Sequence, residues 1–223
     1  MASQPQDSQG GRGVAAILLA AGEGRRMGVT KALVRVGGVT FLERCLALLD
    51  RPAISLRIAV TGFEAERVER HVPAGVIVVR NPRPDTGMLS SLQVGLAEAE
   101  RRGAAAVLVH LVDHPFASLA SVDRVAAALI DGATIAVPSH DGRRGHPVGF
   151  ARQAWPSLRA APVSRGARAA LEDHPEWVTY VAGDPGCLAD MDTPADLAGW
   201  QGRPIESPSA DPEPSDDAPG RSR

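Results

Sequence analysis

A regular alternation constrains this 223-residue chain more than any other feature: short apolar runs take turns with stretches of helical spacing. VAAILLA (14–20), LRIAVTG (56–62), GVIVVRN (75–81), AAAVLVHLV (104–112) and ATIAVPS (133–139) read as strands. Most are continuously apolar rather than alternating, as expected of strands with helices on both faces. TFLERCLALLD (40–50), EAERVERHV (64–72), SSLQVGLAEAERR (90–102) and SLASVDRVAAALI (118–130) carry helical spacing between them, with Ser118 placed to cap the last. Five such units imply an α/β fold built on one doubly wound, mostly parallel sheet. In sheets of this kind ligands bind beyond the carboxyl ends of the strands. The residues just after each strand are therefore the ones to read for chemistry.

Composition narrows the field. Hydrophobic residues make up 44% and charged residues 22%, as in soluble globular proteins, and the scarcity of aromatics (4%) leaves the core to Ala, Val, Leu and Ile. A formal net charge of −2 offers no basic field for a nucleic-acid backbone, although a local cation cluster can still serve a free nucleotide. Cys45 and Cys187 lie far apart and form no C-x-x-C pair, so a reduced, cytoplasmic protein without a thiolate metal site is expected. The run Val14 to Ala21 is too short to span a bilayer, and a strand explains it better than a signal peptide, because an arginine-rich loop follows it. Residues 1–13 and 203–223 read as disordered tails, the second with five prolines, four serines and five acidic residues, leaving one domain over 14–202.

The first strand ends in AAGEGRRMGVTK, a glycine-bearing cationic loop. Its glycines run Gly22-Glu-Gly24-Arg-Arg-Met-Gly28, one residue too long for the dinucleotide fingerprint, and arginines occupy the place where tight helix packing is needed. No G-K-[ST] follows at P-loop spacing. What remains is a loop of backbone N–H groups with Arg26 and Lys31 as cations, suited to phosphate, or else a solvated surface loop.

Later strand ends leave similar choices open. In NPRPDTGMLSSL, Ser90 and Ser91 either cap a helix or, with Gly87, face a ligand. In LVHLVDHP, Asp113 is either a turn former before Pro115 or a ligand to a divalent cation. In CLADMDTPADL, Asp192 is either the cap of a helix opened at Thr193-Pro194 or a second metal carboxylate. GRRGHPVGF (142–150) and SRGARAAL (164–171) add Arg143, Arg144, Arg165, Arg168 and His146, whose individual roles the residues do not assign.

Taken in order over about residues 14–198, these segments resemble the MobA-like nucleotidyltransferases, and especially the molybdenum cofactor cytidylyltransferases. LLAAGEGRRMGVTK resembles the family's L-A-A-G-x-x-x-R-M-G-…-K signature, with Thr30 where the family often has proline. The resemblance implies that Leu19, Ala20, Ala21 and Gly22 line the base and ribose, that Arg26 and Lys31 hold the triphosphate, and that Gly87, Ser90 and Ser91 face the nucleotide. It makes Asp113 and Asp192 the ligands of Mg²⁺ and Asp190 a supporting residue, with Arg26, Lys31 and Asp113 the catalytic set. His114 stands where relatives vary and receives no chemistry. The segments at 142–150 and 164–171 resemble the acceptor side of the cleft, where their arginines suit an anion.

The activity so implied is Mg²⁺-dependent transfer of a nucleoside monophosphate to a phosphate-bearing acceptor, with pyrophosphate released. Ala20-Ala21-Gly22 resembles the cytidylyltransferase form, whereas guanylyltransferases usually read L-A-G-G, so CTP is the expected donor. Molybdopterin is the expected acceptor and a molybdoenzyme the further partner that would receive the product. Two alternatives stand beside this reading: an NAD(P)H-dependent oxidoreductase of the same family, and a non-catalytic molybdenum cofactor chaperone.

Overall fold

The computed structural model describes residues 13–24 and 27–201. The expected tails lie outside the described residues except for Gly13, as do Arg25 and Arg26. The elements run β1 (Val14–Ala20), the short hairpin β2 (Arg35–Val36) and β3 (Val39–Thr40), α1 (Phe41–Leu48), β4 (Ile54–Thr61), α2 (Ala65–Glu69), β5 (Ile77–Arg80), α3 (Met88–Arg101), β6 (Ala106–Leu111) and α4 (Leu119–Ile130). They continue with β7 (Ile135–His140), β8 (Arg143–Arg144), β9 (Val148–Ala151), α5 (Trp155–Ala160), α6 (Arg168–Asp173), β10 (Val178–Ala182) and α7 (Pro194–Gln201).

The main sheet is ordered β10-β7-β9-β6-β1-β4-β5, with β8 pairing β7. β1 lies between β4 and β6 and runs parallel to both, with Leu19 facing Val60 on one side and Leu111 on the other. The expected mostly parallel sheet is present, joined by three strands that the sequence reading did not foresee, β8, β9 and β10. β9 is antiparallel to both β6 and β7 and separates them. Its residues, Val-Gly-Phe-Ala, are too few and too irregular to announce a strand. The helical spacing over 64–72 also yields only the five residues of α2, followed by turns.

All seven residues of β1 are buried, and their side chains divide between two cores. Val14, Ala16, Leu18 and Ala20 join Phe41, Leu42 and Leu46 of α1 and Val122, Val125 and Leu129 of α4. Ala15, Ile17 and Leu19 join Leu92 and Leu96 of α3, with Trp155 and Leu158 of α5. Period-two strand geometry sends successive side chains to opposite faces, so both faces of β1 must be apolar. Local capping supports the pattern. Thr40 and Glu43 form a reciprocal capping box on α1, and Ser118 accepts the Ser121 N–H as the cap of α4.

The helix α3 lies closest to the sheet at Gly95. A Cβ there would sit 2.6 Å from Ile17 Cγ2 and 3.1 Å from Val60 Cγ2. Both neighbours are branched, fully buried strand residues that have no room to retreat. Gly95→Ala is therefore expected to destabilise the fold by about 1–3 kcal/mol despite alanine's better helix propensity. Urea unfolding would show this as a lower midpoint with an unchanged slope.

Candidate active site

Three loops meet beyond the carboxyl ends of β1 and β6. The first leaves β1 at Ala21 and returns at Lys31. Gly24 has φ +72°, and a Cβ on it would lie 2.3 Å from the Val29 carbonyl oxygen, so the loop folds back tightly on itself only with glycine here. The second loop follows β6 through Asp113, with the Pro115 carbonyl accepting from Arg44 Nε of α1 at 2.9 Å. The third runs from Asp184 to Thr193. It reaches the second directly, because the Met191 N–H donates to the Asp113 backbone carbonyl at 2.8 Å. At Gly186 a Cβ would fall 1.8 Å from the Phe116 carbonyl oxygen, so only glycine permits this approach.

Lys31, Asp113 and Asp192 converge where the loops meet. Lys31 Nζ donates to Asp113 Oδ2 at 2.7 Å and also to Asp192 Oδ1. The three side chains retain only 17%, 22% and 24% of their exposure. Burial works against the Lys31 charge, but hydrogen bonds and attraction from Asp113 and Asp192 outweigh it and hold the ammonium's pKa above the usual lysine value. The other oxygen of Asp113, Oδ1, is buried and has no hydrogen-bond partner among the described residues. Asp192 does not cap α7. Thr193 does so, accepting from the Asp196 N–H while Asp196 accepts from the Thr193 N–H and hydroxyl.

Lys31 and Asp113 line a cleft of about 520 Å³ beside which lie Leu19, Ala21, Gly22, Gly87 and Ser91, and Asp192 joins it through its bond to Lys31. Ala20, expected beside the nucleotide, is buried at 1% exposure and does not line this cleft. The serines divide in the same way. Ser91 reaches the wall, whereas the Ser90 hydroxyl donates back to the Gly87 carbonyl at 2.7 Å. Asn81 Nδ2 donates to both serine hydroxyls and so fixes the start of α3. Arg26 lies outside the described residues. Phe63, Pro84, Asp85 and Met88 complete part of the wall and were not singled out from sequence, since a Pro-rich turn gives no sign of which way it faces.

Beneath Asp113 is a layer of histidines. His110 is fully buried and its Nε2 pairs with the His114 carbonyl oxygen at 3.0 Å, while the His114 and His146 rings lie 4.7 Å apart. Burial, reinforced by neighbouring histidines, lowers the pKa of His110 well below the usual value and that of His146 to about 3. Burial also lowers His114, against the pull of Asp113 and Asp190. All three are neutral near pH 7. Of the arginines further along, Arg165 is ion-paired with Glu172 and Asp173, and Arg144 Nε donates to the Tyr180 hydroxyl. Arg143 instead borders a second hollow of about 630 Å³ with His140, Asp190 and Trp200.

Residues 16–178 match the model of the MobA-like NTP transferase domain. The chain belongs to this family. It is a nucleotidyltransferase, of the α/β architecture its strand pattern predicts. It is 30% identical over 188 residues to a Mycobacterium ulcerans protein named probable molybdenum cofactor guanylyltransferase, covering 82% of this chain and 91% of that one. It is 36% identical over 115 residues to the molybdenum cofactor guanylyltransferase of Rhodobacter capsulatus, covering 52% of this chain and 58% of the relative. Among solved structures, Rv0371c from Mycobacterium tuberculosis superposes with a TM-score of 0.76 at 25% identity, over 86% of this chain and 100% of that one. No helix among the described residues is long and apolar enough to cross a membrane.

Asp184, which the sequence reading did not single out, holds the carboxylate-bearing loops together. It accepts from the Ser118 hydroxyl at 2.7 Å, from the Ser121 hydroxyl, and from the Gly186 N–H at 2.7 Å. Burial pushes its pKa up, and these hydrogen bonds outweigh the burial and leave it below the ordinary 3.8. The native state therefore binds this proton less readily than the unfolded chain. The stability it contributes is present above pH 3.8 and is lost as pH falls further, through the native pKa. Asp184→Ala should cost about 1–3 kcal/mol at pH 7. Denaturant titrations repeated downward from pH 4 should show the variant losing less stability with acid than the parent chain.

Proposed function

We propose that this chain transfers CMP from CTP to the phosphate of molybdopterin, releasing pyrophosphate, with Mg²⁺ bound at the carboxylates. The observation that carries the reading is the meeting of Lys31, Asp113 and Asp192, contributed by three separate loops, with Lys31 and Asp113 lining the cleft. The donor set suits a hard divalent cation. It consists of two carboxylates, one with a buried oxygen that has no hydrogen-bond partner among the described residues. The described residues contain no cluster of three or more acidic, histidine or cysteine ligands, so substrate phosphates would share the coordination, as is usual for Mg²⁺. Asp113 and Asp192 would hold the ion, whose contribution when bound is to offset charge on the α-phosphate.

The reaction asks little else of the protein. An oxygen of the acceptor phosphate, already ionised, forms a bond to the α-phosphorus while the α–β bridging bond breaks and its electron pair leaves with pyrophosphate. No proton must be removed from the nucleophile, which agrees with the absence of any assigned base and with the neutral histidines below. Lys31 bears the charge that accumulates on the transferred and leaving phosphates. Arg143, in the adjoining hollow beside Asp141, Asp190 and Asp196, is the group there that would pair with an anionic acceptor.

Ala21 favours CTP. Ala21 lines the cleft, and its methyl group packs against Gly62, where a Cβ would come within 2.8 Å of it. The guanylyltransferase form has glycine at this position, which leaves more room. The second reading, GTP, is favoured by the names of the curated relatives. One methyl group separates such donors by about 1–3 kcal/mol, a 10–200-fold preference that a competition assay resolves.

Pyrophosphate release with CTP and GTP, Mg²⁺ and molybdenum-loaded molybdopterin tests the reading. Release with CTP preferred is the expected result. No release from folded protein would defeat it, and cofactor-dependent NADPH oxidation would favour the oxidoreductase instead. Lys31→Ala and Asp113→Ala should each lower kcat/KM by about 10²–10³-fold while circular dichroism stays native. Near-normal turnover in either variant would remove that residue from the site.

A further inference from the structure

The loop that carries Lys31 is tied at both ends to one neighbouring turn. At its start, the Ala21 carbonyl accepts the Phe63 N–H at 3.2 Å. At its end, the Thr30 hydroxyl donates to the Glu64 carboxylate, which also takes a hydrogen bond from the Thr30 backbone. Phe63 and Glu64 are consecutive residues of the turn between β4 and α2. Thr30 is 2% exposed, an unusual degree of burial for a hydroxyl on a surface loop. Glu64 has φ +50° and ψ 32°, a left-handed conformation that costs a non-glycine residue free energy unless its surroundings hold it there. A glycine would fit that backbone without strain, so the carboxylate, which also pairs with Arg67 Nη1 of α2, is the reason to expect glutamate.

Thr30 itself has φ −52° and ψ 121°, which is the backbone a proline would impose, and its carbonyl accepts the Leu33 N–H at 2.8 Å across Lys31. Fixing Thr30 thus fixes the direction in which the chain enters Lys31. The ammonium must reach two carboxylates on two other loops, and small misplacements of such a group are costly.

We propose that Thr30 and Glu64 form a latch that positions Lys31 for the nucleoside triphosphate, acting as positioning residues that do not touch the substrate. The proposal rests on the cleft being the nucleotide site, but it does not depend on the acceptor or on turnover. Equilibrium binding of CTP and of GTP, each with Mg²⁺, tests it by calorimetry on the full chain. Thr30→Val and Glu64→Gly should each weaken the tighter nucleotide by about tenfold, the worth of one charge-assisted hydrogen bond. The double variant should be no weaker than either single one. Thr30→Ser should bind within about twofold of the parent, since it keeps the hydroxyl.

Glu64→Gly separates positioning from stability, because glycine relieves the left-handed strain and the melting temperature should hold. Thr30→Pro in the Glu64→Gly background should recover affinity, replacing the latch with a stiff backbone. Unchanged affinity in Thr30→Val and Glu64→Gly, whatever their melting temperatures, would overturn the latch. A parent chain that binds neither nucleotide would overturn it together with the nucleotide site. A parent that binds but releases no pyrophosphate defeats the transfer reading alone, and the affinity ratios still decide the latch.

Discussion

Two carboxylates and one ammonium, shared among three loops, set the terms for the rest of this structure. Asp113 and Asp192 approach one nitrogen from two loops, and like charges brought together in a partly desolvated site repel unless a cation lies between them. Lys31 supplies that cation and gains from both. The exchange also restrains geometry, since moving any of the three loops away costs a charge in a partly desolvated site one of its partners. Pieces far apart in sequence, at residues 31, 113 and 192, are held in register by charge as much as by packing.

The framework around the trio is correspondingly stiff. Arg44 reaches from α1 to the Pro115 carbonyl, Met191 N–H binds the Asp113 carbonyl, and Asp184 gathers the start of α4 onto the turn at Gly186. The glycines at 24 and 186 belong to this framework, because each marks a place where backbone meets backbone at a distance no side chain allows. A site that works by charge placement benefits from such rigidity, because dipoles and charges that need not reorganise stabilise a developing charge most.

Much of this was legible in the residues, and the remainder was hidden for identifiable reasons. The continuous apolar runs of β1 and β6 announced buried parallel strands, and the loops that carry Lys31 and Asp113 leave their carboxyl ends. β9 was missed because four residues with a central glycine carry no periodicity. Strand order, and with it the insertion of β9 between β6 and β7, depends on long-range pairing that local patterns do not encode. Lys31, Asp113 and Asp192 were singled out from sequence, yet their mutual pairing was not, since spacing along the chain says nothing about contact between loops. Asp192 looked as suited to capping a helix as to binding a cation. Only the capping box of Thr193 and Asp196 freed it from the first role. Ser90 and Ser91 present the same helix-start chemistry, and the difference between facing the cleft and facing the backbone lies in a single turn of helix.

The histidines show how the same strand end can hold charge and exclude it. His110 sits in the strand, His114 one turn beyond it and His146 in the adjoining loop, and each is kept neutral by burial. A protonated imidazole beside Asp113 would compete with Lys31 for the carboxylate and weaken the pairing that links Asp113 through Lys31 to Asp192. Keeping these rings uncharged leaves the Lys31 ammonium as the partner of Asp113 Oδ2 and of Asp192 Oδ1. Under the proposed function a divalent cation arriving with a triphosphate would be drawn to those carboxylates, with Lys31 left to turn toward the phosphates. On this view the neutral layer below the site is part of its electrostatics, although none of its members touches the reacting groups.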